Sequence, residues 1–148
     1  MPSNVNESTA KISMDITELK AGITEANRLI RLANSEFKAA ASGMESWEDA
    51  ADGLSQTIQA LTKVQDAQQK KLELLQQEYK LVAAEQGESS RQAQNLQIRI
   101  NNQQTAINKT AAELKKYQKE LDDVNSTAGE TPGAAEDQRS SYEKLQDT

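Results

Sequence analysis

The sequence predicts an all-α protein: a long antiparallel coiled-coil helical hairpin, preceded by a shorter helix and a short N-terminal strand. Three observations carry that expectation. Apolar residues recur at alternating steps of three and four through most of the chain, the spacing of a heptad seam. Proline is confined to Pro2 and Pro132, so nothing between them forbids long helices. Hydrophobic residues make up 36% of the 148 residues and aromatic residues only 3%, too little for a dense globular core, while Ala, Gln, Glu, Lys and Leu favour helix.

The elements follow in chain order. Residues 1–10 are polar and aperiodic and read as a disordered arm. Lys11-Ile12-Ser13-Met14-Asp15 alternates polar and apolar, which suggests one short strand. Asp15 then caps a helix, with Glu18 three residues on as in a capping box. The first helix, within a unit spanning residues 11–45, carries the seam Ile16, Leu19, Ile23, Ala26, Ile30, Ala33, Phe37, Ala40 and Met44. Ala occupies every second position after Ile23, so this seam is thin and needs a partner helix. Gly43 ends it.

Residues 46–124 form the hairpin, with arms 46–86 and 89–124 and the turn at 87–88. Ser46 opens the first arm, followed by Glu48 and Asp49, which favour a helix N-terminus. Its seam is Leu54, Ile58, Leu61, Gln65, Gln68, Leu72, Leu75, Tyr79 and Val82. Gly87 takes the left-handed cap, and Ser89 with Gln92 starts the second arm. That arm's seam runs Ala93, Leu96, Ile100, Gln103, Ile107, Thr110, Leu114, Tyr117, Leu121 and Val124. Folded about Gly87, Val82 meets Ala93, Leu75 meets Ile100, Leu61 meets Leu114 and Ile58 meets Tyr117. The polar seam residues Gln65, Gln68, Gln103 and Thr110 then gather at one height. Each arm is roughly 50–55 Å long at 1.5 Å per residue. Residues 125–139 contain Gly129, Pro132 and Gly133 and read as a flexible linker. Residues 140–148 begin a further helical pattern with Tyr142 and Leu145, which looks truncated.

Charge and composition exclude several function classes. The net charge is −6, without the basic stripe and stacking aromatics of a nucleic-acid binder. There is no Cys and no His, so neither thiolate chemistry nor the usual soft metal ligands are present. No apolar run approaches the roughly 20 residues that span a bilayer, and no secretory signal opens the chain. The chain therefore reads as soluble, within a cell or a particle. The acidic groups Glu48-Asp49, Asp52, Asp122-Asp123 and Glu136-Asp137 fit helix ends and solvated faces, because a two-helix hairpin offers no pocket to perturb an acid–base pair. No phosphate-binding glycine loop occurs, and Ser89-Ser90 has no base to activate it. The sequence thus assigns no catalytic, cofactor-binding or metal-binding residue and no cofactor. Trp47 reads as an anchor at the corner between the first two helices rather than as a binding hot spot. The polar seam cluster has two readings: a tolerated soft spot, or a device that fixes register and partner number.

The order of these features resembles the N-terminal region of tail tape measure proteins of long-tailed bacteriophages and prophages. Ile12-Ser13-Met14-Asp15 runs into Ile16-Thr17-Glu18-Leu19-Lys20-Ala21-Gly22-Ile23 as those chains open. Ala39-Ala40-Ala41-Ser42-Gly43-Met44 with Trp47 is similar to the family, as is Ala51-Asp52-Gly53-Leu54 entering a Gln- and Lys-rich helix. The turn from Ala83 to Ser90, and Asn108-Lys109-Thr110 before Glu113-Leu114, complete the likeness over roughly residues 11–124. The resemblance implies a structural coiled-coil component of a virion tail, made in the host bacterial cytoplasm, that sets tail length and scaffolds tube assembly. It implies tail tube subunits, tail assembly chaperones and tail tip or baseplate proteins as partners; self-association is expected as well, and this stretch itself carries no membrane-spanning segment and no direct nucleic-acid site. The alternative is a generic bacterial coiled-coil adaptor or secreted helical-hairpin protein. Secreted hairpins carry Trp-x-Gly at their turn, whereas Glu48-Asp49 follow Trp47 and the Gly87 turn has no Trp. An enzyme is the reading the sequence favours least.

Overall fold

The computed structural model describes residues 2–43 and 50–128, with side chains for residues 10–43 and 50–126. Three long helices make up the described chain: α1 (Pro2–Ser42), α2 (Ala50–Gln86) and α3 (Arg91–Ala128). Among the described residues there is no strand. The expected strand at Lys11–Asp15 lies inside α1, where the hydroxyl of Thr17 donates to the carbonyl of Ser13 at 2.9 Å. A lone strand has no ladder to satisfy its backbone, whereas continuing the helix puts Ile12 one step before Ile16 on the seam. Residues 2–10, expected to be an arm, are helical for the same backbone reason, and Asp15 is interior to α1 rather than its cap.

Gly43 terminates α1, its amide donating to the carbonyls of Ala39 and Ala40, both at 3.2 Å. The expected start at Ser46 and the corner residue Trp47 lie outside the described residues. The turn between α2 and α3 forms where the glycine predicted it. Gly87 has φ +94°, its amide donates to the Ala83 carbonyl at 2.9 Å, and a side chain there would be strained. The cap of α3 is Ser90 rather than Ser89: its hydroxyl accepts from the Ala93 amide at 3.2 Å, and Gln94 donates to its carbonyl at 3.0 Å. The linker expected at 125–139 is helical through Ala128; no Gly or Pro interrupts α3 before Gly129. The rest of the linker and the helix expected at 140–148 lie outside the described residues.

Two core clusters tie the helices together. One core cluster near the Gly87 turn joins Ile23 of α1, Leu75 and Val82 of α2, and Ala93 and Leu96 of α3, with Ile16, Leu74, Tyr79 and Ile100 against it. A second, toward the other end, joins Ala33, Leu61, Val64 and Leu114, with Phe37, Ile58 and Tyr117 against it. These memberships require the antiparallel order expected of the hairpin: late α2 with early α3, early α2 with late α3. The seam residues of α3 are buried or half-buried from Ala93 through Val124.

The placement of α1 follows from a second stripe on α2. Gly53, Thr57, Ala60, Val64, Ala67, Lys71, Leu74, Glu78 and Leu81 recur at four and three, each one residue before a hairpin seam position, and all are buried or half-buried. This stripe meets α1. Leu74 sits over Gly22, where a Cβ would lie 3.2 Å from its Cδ1, and Val64 packs with Ala33. Small residues on both sides let the helices approach, which is how a seam with so many alanines is completed. A one-residue offset is about 100° of helix rotation, so α1 and α3 lie on adjoining sides of α2 at close to a right angle. Among the described residues no Cα of α1 comes within 8 Å of a Cα of α3. Side chains alone bridge that gap, as the rings of Phe37 and Tyr117 do, edge to face with centroids 6.0 Å apart.

Candidate functional surface

The groups that could carry function are the polar atoms inside the packing and the surfaces it leaves open. The polar seam residues gather as the hairpin register requires. Gln68, Gln103 and Thr110 are buried, and Gln65 is half-buried. The Gln103 amide nitrogen donates to the backbone carbonyl of Gln68 at 2.9 Å, and the Thr110 hydroxyl to the carbonyl of Ala106 at 3.1 Å. The side-chain oxygen of Gln68 has no partner. The Gln103 bond crosses between two helices of one chain, so the hairpin itself satisfies that part of the polar layer. An unpaired buried acceptor costs about 1–3 kcal/mol.

Glu78 is the more unusual group. It is 3% exposed, on the stripe of α2 that meets α1, and its Oε2 has no hydrogen-bond partner. Beside it runs an open groove lined by Asp15, Glu18 and Leu19 of α1 and Gln77, Lys80 and Leu81 of α2. Sequence reasoning passed over Glu78 because it treated α2 as a helix with one buried face. The four-and-three spacing from Gly53 to Leu81 was the available signal, masked by residues that are small or charged.

Three surfaces stand out. On the outer side of the α1–α2 contact, Leu29 and Leu32 are 41% and 51% exposed above Ala33 and Ala67. Charges rim this groove, with Lys63 3.6 Å from Glu36. Along one flank of α3, Gln94, Gln97, Asn101, Gln104 and Asn108 form an uncharged amide strip. Within it Gln97 donates to Asn101 and Gln104 to Asn108, both at 3.0 Å. The third surface is the wedge between α1 and α3. There the burial of Lys71, with Arg99 nearby, lowers the lysine pKa, and the burial of Tyr117, with Glu113 and Glu120 beside it, raises the phenol pKa.

Of the acidic residues singled out in the sequence, the hairpin register brings Asp52 and the Asp122-Asp123 pair to the same end. Asp52 is exposed in the first turn of α2, and Asp122 and Asp123 are exposed near the end of α3. Glu48-Asp49 and Glu136-Asp137 lie outside the described residues. Among the described residues no group of three or more Asp or Glu could hold a metal ion, and no helix is long and apolar enough to cross a membrane. The exposed Arg28–Glu25 pair on α1 holds the Glu25 carboxyl below its usual range through a hydrogen bond from the guanidinium.

What these features define is a helical hairpin with a third helix docked along one arm. No family model, no curated protein and no solved structure matches the chain.

Proposed function

We propose that this chain is a structural part of a phage or prophage tail, the N-terminal region of a tape measure protein, and acts without catalysis. The observation that carries this reading is that helices of 41, 37 and 38 residues lie along one another with their polar surfaces outward. A helix adds 1.5 Å per residue, so a chain of this kind measures length. The α2–α3 pair is read as an antiparallel coiled coil whose arms separate during assembly to give one continuous rod. The uncharged amide strip on α3 suits a surface that lies against the inner wall of a tube without fixed ionic contacts. Tail tube subunits would polymerise around several copies, with tail assembly chaperones and tail tip or baseplate proteins as further partners. The site of action would be the virion tail, after synthesis in the host cytoplasm.

Electron microscopy of tails made with the native gene tests this. Deleting residues 46–124 shortens the tail by about 120 Å if these residues lie extended as helix, and leaves it unchanged if the hairpin persists. Cysteines at Leu75 and Ile100, oxidised to close the hairpin, stop assembly if opening is required. Tails of normal length and yield from both variants would defeat the reading.

A further inference from the structure

The right angle at α2 leaves one long surface between α1 and α3, bridged by side chains such as Phe37 and Tyr117. Its floor is apolar: Ile16, Ile30, Phe37, Ile100 and Tyr117 are half-buried rather than buried. Its α1 flank is basic. The flank of α1 facing α3 lies one residue after each seam position, opposite the flank that carries Gly22 and Glu36 toward α2. It bears Lys20, Arg31 and Lys38 and no acid. Half-buried Lys71 stands at the back of the wedge near Arg99. Arg99, Lys109 and Lys116 accompany Glu113, Glu120 and Asp123 on the facing flank of α3, so cations outnumber anions around the wedge. This is a basic surface on a chain whose net charge is −6.

The residues that follow α3 have the opposite character. From Gly129 to Thr148 the acids Glu130, Glu136, Asp137, Glu143 and Asp147 face only Arg139 and Lys144, and the apolar side chains Tyr142 and Leu145 are three apart. They also start at the correct end. α3 ends at Ala128, beyond Tyr117, and a chain returning along the wedge would run antiparallel to both α1 and α3. Ala128, the last residue of α3, is about 16 Å of helix rise and one helix width from the Phe37–Tyr117 pair, well within the roughly 46 Å that the 14 residues from there to Tyr142 can span.

We propose that the wedge between α1 and α3 is the docking site of this chain's own acidic C-terminal stretch, residues 134–148, with Tyr142 and Leu145 seated over Phe37 and Tyr117. Docking makes the bundle four-cornered and sets the acids of residues 134–148 beside Arg31 and Lys38 of α1. The inference is independent of the tail assignment and concerns the free chain.

The absence of cysteine makes the test clean. Spin labels on Ser35→Cys, on the exposed outer side of α1, and Ser140→Cys in the full chain read the distance directly. The expected result is a single distance of about 25 Å, two helix diameters, at low salt. It should broaden and lengthen in 1 M salt, and do so fully in the added double variant Tyr142→Ser/Leu145→Ser, while helix content stays unchanged. A broad, long distribution at low salt that the double variant leaves unaltered would overturn the proposal. Sedimentation of the unlabelled full chain gives the second reading. A monomer is expected, and a dimer indifferent to Tyr142→Ser/Leu145→Ser would place a second copy in the wedge and overturn it as well.

Discussion

Replacing Glu78 by Leu should stabilise the protein. The carboxylate is 3% exposed and its Oε2 is unpartnered, at the face where α2 meets α1. Two contributions act in the same direction. Removing the unpaired buried acceptor recovers about 1–3 kcal/mol, and the apolar surface of a leucine adds roughly 1 kcal/mol or more where the methylenes of Glu78 are already buried. Part of this is lost to fitting a branched side chain into space shaped for a linear one, about 1 kcal/mol. The net expectation is a gain of about 1–3 kcal/mol. Urea unfolding followed by circular dichroism at 222 nm measures it as a higher midpoint with an unchanged slope. Glu78→Gln is the control. It retains polar atoms needing partners, so its gain should be smaller than that of Glu78→Leu. A Glu78→Leu chain less stable than wild type would refute the reasoning, because it would mean that the carboxylate is solvated or paired and that α1 does not cover it.

Other substitutions probe the remaining contacts. Leu75→Ala, at the centre of the cluster shared by all three helices, should cost about 3–5 kcal/mol in the same assay, since the site is fully buried and hemmed in by Val82 and Leu96. Gly22→Ala should stabilise by up to about 1 kcal/mol: alanine is the better helix former, and the close atom, Leu74 Cδ1, is the movable end of a half-buried side chain. Gly87→Ala should destabilise by about 1 kcal/mol, because φ +94° is strained for any residue with a Cβ. Tyr117 should ionise above the usual tyrosine range, read at 295 nm as the difference between the wild type and Tyr117→Phe. Its folded pKa is raised, so stability holds below about pH 10 and falls as pH rises through the folded value, and Tyr117→Phe should flatten that loss.

Much of this fold was legible as spacing. The hairpin seams, the turn at Gly87 and the pairing of Leu61 with Leu114 and of Val82 with Ala93 follow from heptad positions alone, because seven-residue periodicity leaves few registers once the turn is located. The errors came where a short window supports two periods. Lys11–Asp15 alternates like a strand, yet Ile12 and Ile16 are also four apart, and the longer pattern wins because a helix satisfies its own backbone. Ser89 and Ser90 are chemically equal as caps, and the left-handed residue at Gly87 decides between them by setting where the chain re-enters helix. The second face of α2 was overlooked because its members are Gly, Thr, Ala, Lys and Glu, which mark no seam by hydrophobicity. They mark one by size, since close approach of α1 needs small residues. The Gln65–Gln103 cluster was visible as a polar interruption, but only the Gln103 bond to the Gln68 carbonyl shows that the hairpin satisfies part of it internally.

Two distances measured in one chain test the architecture most directly. Spin labels at the exposed positions Thr62 and Lys115 should report a separation of about 20 Å, because early α2 lies beside late α3, and labels at Lys80 and Gln97 should report a similarly short distance across the turn end. A Thr62–Lys115 separation near 80 Å, the length of that span as one continuous helix, would contradict the hairpin in the free protein.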